Sequence, residues 1–345
     1  MRTHRASART WLGLAVLALP GMLTVMDLTV LNLAVPKLSE ALKPTGVQLL
    51  WIIDISGFML AGWLITVGNL GDRIGRRKLL LIGGAVFGVT SAVAAFSRSD
   101  WMRIATRALL GLAGAALPPA TLSLLRTMFA AEPERTQAIG IWGASFAVGA
   151  AIGPLVGGAL LERFWWGSVF LVGVPVMVLL LAIGPVVLPE YRDPDAGHPD
   201  LASVLLSIAS VLAVIYGLKQ FVQDGLGLLP VAAVMAGLVG AAVFFRRQLT
   251  LAGPLVDLSR FRRPRFSVAV AANVLNVFVS FGGYILISQY LQLVLGLSPL
   301  QAGLLALPAS LLAIAGPMLS PIVVPRFGTA ASVAAFLAIA GAGLG

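Results

Sequence analysis

Gly68-Asn69-Leu70-Gly71-Asp72-Arg73-Ile74-Gly75-Arg76-Arg77-Lys78 joins two apolar segments, Leu49 to Leu70 and Leu79 to Phe96. So dense a group of charges cannot enter hydrocarbon, where each costs about 2.5 to 3.5 kcal/mol on insertion scales. The stretch therefore reads as a tight turn at a membrane surface. Gly75 suits backbone angles that other residues avoid, and Asp72 can pair with cations or with a helix N-terminus. Such a cluster can latch one arrangement of helices and release another. A plain cationic loop would explain the arginines but not the glycines and the aspartate.

Composition agrees with a membrane on either side of that turn. Mean hydropathy is +0.96, with 59% apolar and 11% charged residues, whereas soluble domains carry about 25% charged residues. Roughly 20 apolar residues span a bilayer. Ten such segments are expected: Leu12–Val35, Leu49–Leu70, Leu79–Phe96, Ile104–Leu125, Ala138–Leu161, Ser168–Leu188, Leu201–Leu218, Gly225–Phe245, Phe266–Leu293 and Ala302–Val324. An eleventh begins near Thr329, and its break at Gly345 makes the sequence look like a piece of a longer chain. Asp27 and the closely following second span argue against a cleaved signal peptide. The absence of cysteine excludes disulfides and thiolate metal sites and fixes no compartment.

The net charge of +10 follows topology. With the N-terminus in the cytoplasm, the inner side holds Arg2, Arg5, Arg9, the Arg73 to Lys78 cluster, Arg126, Arg135, Arg192, Arg246, Arg247, the Arg260 to Arg265 cluster and Arg326. Only Lys37, Lys43, Arg98, Arg103, Arg163 and Lys219 fall outside, as the positive-inside rule requires. No interleaved basic and aromatic stripe suggests nucleic-acid binding.

Three charged residues lie within spans: Asp27, Asp54 and Arg107. Counted from the outer helix ends, all three sit roughly 10 Å deep at 1.5 Å per residue, a depth at which they could meet in one cavity. Two readings stand for Asp27, a proton-binding carboxylate or an ion pair with Arg107 that only holds the bundle together. Asp54 is either a counter-charge for a cation or a wetted vestibule residue. Trp51 and Phe58 at the same level, with Asn276 and Tyr284 farther along, are candidate cavity-lining residues. Rings there would suit cation recognition, although an interfacial aromatic belt would look alike. In the fifth span, Gly149-Ala-Ala-Ile-Gly153-Pro154-Leu-Val-Gly157-Gly158 puts small residues on one helix face, which permits close backbone approach. Pro154 bends the same helix.

The Gly68 to Lys78 loop matches G-x-L-x-D-R-x-G-R-R/K at every defined position and resembles the major facilitator superfamily. Gly149 to Gly158 matches G-x-x-x-G-P-x-x-G-G and resembles the fifth-helix motif of that superfamily's proton-coupled drug exporters. Arg107-Ala-Leu-Leu-Gly111-Leu-Ala-Gly114 resembles the fourth-span motif, with Leu110 where the pattern has glutamine and Ala113 where it has glycine. The strings Met26-Asp27-Leu-Thr29-Val-Leu-Asn32 and Trp51-Ile-Ile-Asp54-Ile resemble exporters of quaternary ammonium compounds and dyes. The resemblance implies an all-α polytopic fold and the fourteen-span drug:proton antiporter branch. It gives Asp27, Asp54 and Arg107 a role in proton coupling and cation binding, and makes Gly68, Asp72, Arg73, Gly75, Arg76 and Arg77 a conformational latch. Gly149, Gly153, Pro154, Gly157 and Gly158 become the antiporter motif. At Gly173 the family often has asparagine.

The expected organisation is an N-terminal six-helix bundle over 1–189, a loop with two additional helices over 190–247, a cationic cytoplasmic linker over 248–265, and an incomplete C-terminal bundle over 266–345. No Ser-His-Asp set, metal cluster or G-x-x-x-x-G-K-[ST] phosphate loop is visible, so neither an enzyme nor an ATP-driven pump is expected, and no cofactor or metal. The expected function is proton-driven export of lipophilic, cationic drugs, dyes and antiseptics by a monomer in the cytoplasmic membrane. Its partners are protons, the small organic substrate and lipid, with no nucleic acid. The competing readings are a same-fold transporter of a non-drug small molecule and a membrane sensor or scaffold that does not transport.

Overall fold

A computed structural model gives the fold and describes residues 6–192, 200–251, 254–298 and 301–305, with single positions from there to 335; some helical side chains inside these ranges are outside the description. Every regular element among the described residues is helical. Hydrocarbon offers backbone groups no partner, so a spanning segment must satisfy them internally. Among the described residues, seven helices are long and apolar enough to cross, or eight when α2 (Gly46–Ile74), bent by 55° between Leu64 and Thr66, counts as one.

The first eight expected spans each have a counterpart. They are α1 (Ala8–Leu42), α2, α3 (Arg76–Ala95), α4 with α5 (Asp100–Gly114, Leu117–Met128), α6 (Glu132–Arg163), α7 with α8 (Ser168–Leu171, Gly173–Val187), α9 (Leu201–Asp224) and α10 (Leu228–Thr250). The ninth is α11 (Pro264–Gln289), which runs into a π turn at Tyr290–Val294. Most of the tenth and nearly all of the eleventh lie outside the described residues. Boundaries differ where proline misled the reading. Pro36 suggests a stop, yet α1 continues to Leu42, since a transmembrane helix tolerates one missing donor when local adjustments satisfy the freed carbonyl. α2 starts at a capping box in which Thr45 and Gln48 satisfy each other's backbone.

The chain falls into two units that interleave along the sequence: 1–40, 125–172 and 259–345 in the first, 41–124 and 173–258 in the second. In the first unit, α1 lies along α6. Gly21 meets Phe146, Gly149 meets the Met22 backbone, Gly153 meets Met26 and Thr29, and Gly157 meets Val30. Both residue numbers rise together, so spans one and five run parallel. Trp11 and Phe129 close one end edge to face at 5.1 Å, where Glu134 accepts from the Ala6 amide.

In the second unit, α2 packs on α3, α4 and α9, α3 on α4 and α8, and α9 on α10. Glycine makes the tightest crossings: Gly111 on the Ser56 backbone, Gly84 on Leu180, Gly217 on the Pro230 carbonyl and Gly237 on the Ser210 carbonyl. Lipid supplies no hydrophobic drive between helices, so close backbone packing must hold them. The registers make α2 parallel to α4, α3 antiparallel to α8, and α9 antiparallel to α10, as spans that alternate in direction must be. Val222 and Leu228, 83% and 89% exposed, mark the apolar surface that α9 and α10 offer to lipid.

Candidate functional site

Three clusters carry the charged and small residues of interest. The first is the seam between α1 and α6. A Cβ on Gly149 would meet the Met22 carbonyl, with the carbonyl carbon at 2.9 Å, and one on Gly157 would lie 2.7 Å from Val30 Cγ1. Gly149, Gly153, Pro154, Gly157 and Gly158 are all buried. Asp27 is half-buried and stands between Met26 and Thr29, two residues that contact Gly153. The Thr29 hydroxyl is engaged within its own helix, donating to the Val25 and Met26 carbonyls at 3.2 and 3.1 Å. On the opposite flank of Gly153, Pro154 and Leu155 pack against Gly303 at 3.2 and 3.4 Å from its notional Cβ.

The second cluster is the loop between α2 and α3. Asp72 forms an ion pair with Arg76 one turn on, and Arg76 Nη1 donates to the Gly68 carbonyl at 2.9 Å. Gly75 has φ 107° and ψ 134°. A side chain there would be strained and would strike Glu190, whose Cδ lies 2.9 Å from a notional Cβ. Glu190 accepts from the Arg77 amide at 3.2 Å and faces Arg77 Nε at 3.4 Å. Arg77 Nη1 donates to the Pro185 and Leu188 carbonyls, capping the end of α8 where orphan acceptors gather. The Arg76 amide completes the tie by donating to the Tyr191 carbonyl at 2.9 Å. Arg73 is half-buried in the last turn of α2. The loop is thus clamped to the sixth span by a partner, Glu190, that the sequence reading left in a connecting loop.

The third cluster joins α2, α4 and α9. Arg107 is fully buried, and its Nε donates to the Ile52 carbonyl at 3.3 Å. Leu110, standing where the resemblance has glutamine, is a buried apolar contact. Asp54, half a turn beyond Ile52, pairs with Lys219 of α9. Lys219 Nζ also lies 5.1 Å from the centroid of the Phe58 ring. Trp51 meets Phe58 edge to face at 6.5 Å and stacks on Tyr216 at 6.3 Å with planes 21° apart. Asp54, Trp51, Phe58 and Arg107 therefore belong to one unit, and Asp27 to the other. Asn276 is exposed on α11, and the Tyr284 side chain lies outside the described residues.

Two assignments to the outer loops change. Arg103 is fully buried in α4 and donates to the Ala94 carbonyl at 3.0 Å. Lys219 lies inside α9, since the helix runs on to Asp224, well past the Leu218 at which hydropathy falls. A lone basic residue near a span end gives no sequence signal that distinguishes these cases.

The Major Facilitator Superfamily model matches residues 17–345. The chain belongs to this superfamily. Within it, the chain is 47% identical over 308 residues to the multidrug efflux pump LfrA of Mycolicibacterium smegmatis, covering 89% of this chain and 61% of LfrA. It is 37% identical over 301 residues to the methyl viologen resistance protein SmvA of Salmonella typhimurium, covering 87% and 61%. The chain thus spans 61% of the length of both relatives. The superfamily fold also appears in the solved structure of the proton:xylose symporter XylE, with a TM-score of 0.56 at 16% identity over 94% of this chain and 70% of that one. The protein is thus an all-α, multi-span member of a transporter superfamily, as the loop motif implies.

Proposed function

We propose that this protein is a proton-coupled antiporter of the fourteen-span type that exports lipophilic organic cations across the cytoplasmic membrane by alternating access, with its N-terminus in the cytoplasm. The carrying observation is a pair of carboxylates within spans, Asp27 and Asp54, each beside machinery suited to its task. Asp27 adjoins the glycine seam of α6, so a change in its charge is felt where two backbones touch. It exchanges a proton for cargo, and Arg107, buried beside the Ile52 carbonyl, sets the charge balance around Asp54. Asp54 lies among aromatic rings and supplies the counter-charge for a cation, whose desolvation is offset only by close pairing. The clamp formed by Asp72, Arg76, Arg77 and Glu190 holds one conformation and is released in the other.

The similarity to proteins named for multidrug efflux and for methyl viologen resistance supports export of drugs, methyl viologen being itself a quaternary organic cation. The test is uptake of a fluorescent organic cation into liposomes that carry the protein and an imposed proton gradient. Accumulation that depends on the gradient and is lost in Asp27→Asn supports the reading. Accumulation that is indifferent to the gradient, or intact in the folded variant, rejects it.

A further inference from the structure

The Lys219 ammonium occupies the position that a cargo cation needs. It pairs with Asp54 and lies 5.1 Å from the centroid of the Phe58 ring, which Trp51 meets edge to face. A carboxylate with ring faces is the environment that binds organic ammonium groups. The tether is also held in register. Tyr216, one turn before Lys219, stacks on Trp51, and a notional Cβ on Gly62 of α2 would lie 3.5 Å from Ile208 of α9, so the two helices run antiparallel along several turns. Lys219 and Asp54 are 31% and 33% exposed. The ammonium can therefore swing on its four-carbon stem into water without becoming a buried orphan.

We propose that Lys219 is a tethered competitor: its ammonium fills the cation site formed by Asp54, Phe58 and Trp51 when cargo is absent, and monovalent lipophilic cations enter by displacing it. This rests on the reading of the cargo as cationic. In the resting state the site is neutral, and the tether presents the ammonium at an effective concentration on the order of millimolar. A small, strongly hydrated inorganic ion gains little from the rings and loses to it. A cation with an aromatic body covers Trp51 and Phe58 with surface that the lysine stem does not offer, and wins. Lys219 would then set which cations bind, acting through Asp54 and not as a general brace of α9.

The test uses the whole chain in detergent with tetraphenylphosphonium as the probe and a neutral lipophilic dye as the control, binding being read from tryptophan fluorescence. Lys219→Gln is expected to tighten tetraphenylphosphonium binding about tenfold, Lys219→Arg to leave it near wild type, and Asp54→Asn in the Lys219→Gln background to reverse the gain; the dye should bind all alike. Amine-reactive labelling of the unaltered protein needs no variant to fold. Saturating tetraphenylphosphonium should raise modification of Lys219 several-fold against exposed Lys43 as reference. Unchanged labelling, or a folded Lys219→Gln that binds the cation no more tightly, makes the pair a structural tie and overturns the proposal. If neither wild type nor Lys219→Gln binds the cation while both bind the dye, the cationic-cargo reading falls and carries the proposal with it.

Discussion

Gly149→Ala probes the α1 to α6 seam with one methyl group. Its Cβ would lie against the Met22 carbonyl, with the carbonyl carbon at 2.9 Å and Cα at 3.0 Å. Ordinary contact begins at 3.4 Å, and the obstacle is backbone, so no rotamer change relieves it. The two helices must part to make room, the carbonyl oxygen being the nearest obstacle. Overpacking of this kind costs about 1–3 kcal/mol, and the better helix propensity of alanine returns about 0.5–1 kcal/mol. Gly57→Ala is the internal control, because a Cβ there meets nothing within 4 Å. It keeps the propensity gain without the clash. The two substitutions should therefore differ by about 1–3 kcal/mol, or roughly 5- to 150-fold in a two-state equilibrium. Reversible unfolding in mixed micelles, followed by circular dichroism, reads that difference. A Gly149→Ala protein as stable as Gly57→Ala would show that the backbones do not approach as described.

The surface clamp should fail in graded fashion: Gly75→Ala meets both an adverse φ and Glu190, and Arg77→Gln removes the donors to the Pro185 and Leu188 carbonyls. Both variants should insert in the membrane yet lose most export, Gly75→Ala the more severely, as measured by dye efflux normalised to protein. Asp54→Asn should weaken resistance to cationic dyes and antiseptics more than to neutral drugs; an equal loss for both would assign Asp54 to coupling or gating. At the N-terminus of α9, hydrogen bonds from Arg247 first and Ser203 second hold the Asp200 carboxyl well below the usual carboxylate range. A group depressed in the folded state stabilises fully above its unfolded value of 3.8 and loses that contribution as pH falls through its folded value. The thermal-midpoint gap between wild type and Asp200→Asn should thus be level from pH 7 to pH 5 and shrink below pH 4; a gap that widens on acidification would refute the assignment.

The sequence carries local information well and distant pairing poorly. Span positions follow from hydropathy, and the Gly68 to Lys78 loop reveals both its turn and the superfamily, because Gly75, Asp72 and Arg76 act on neighbours a few residues away. The glycines of α6 announce close packing, but not that Met22, Thr29 and Val30 supply the partner face. Glu190 and Lys219 escape notice for the same reason: each acts on a residue more than a hundred positions away, and neither lies in a motif that demands a charge. Helix ends fail where one rule is overridden, as Pro36 inside α1 and the extension of α9 to Asp224 show. Arg103 reads as a loop residue because its burial depends on α3 covering it.

Coupling is the central claim, and proton release on binding tests it most directly. Tetraphenylphosphonium is added to the detergent-solubilised protein in weakly buffered solution near neutral pH, and a pH-indicator dye reports protons set free per cation bound. The account predicts release in the wild type that saturates with binding and disappears in Asp27→Asn, with the variant still folded and still binding the cation. Binding without proton release in the wild type, or release that persists undiminished in Asp27→Asn, would contradict it.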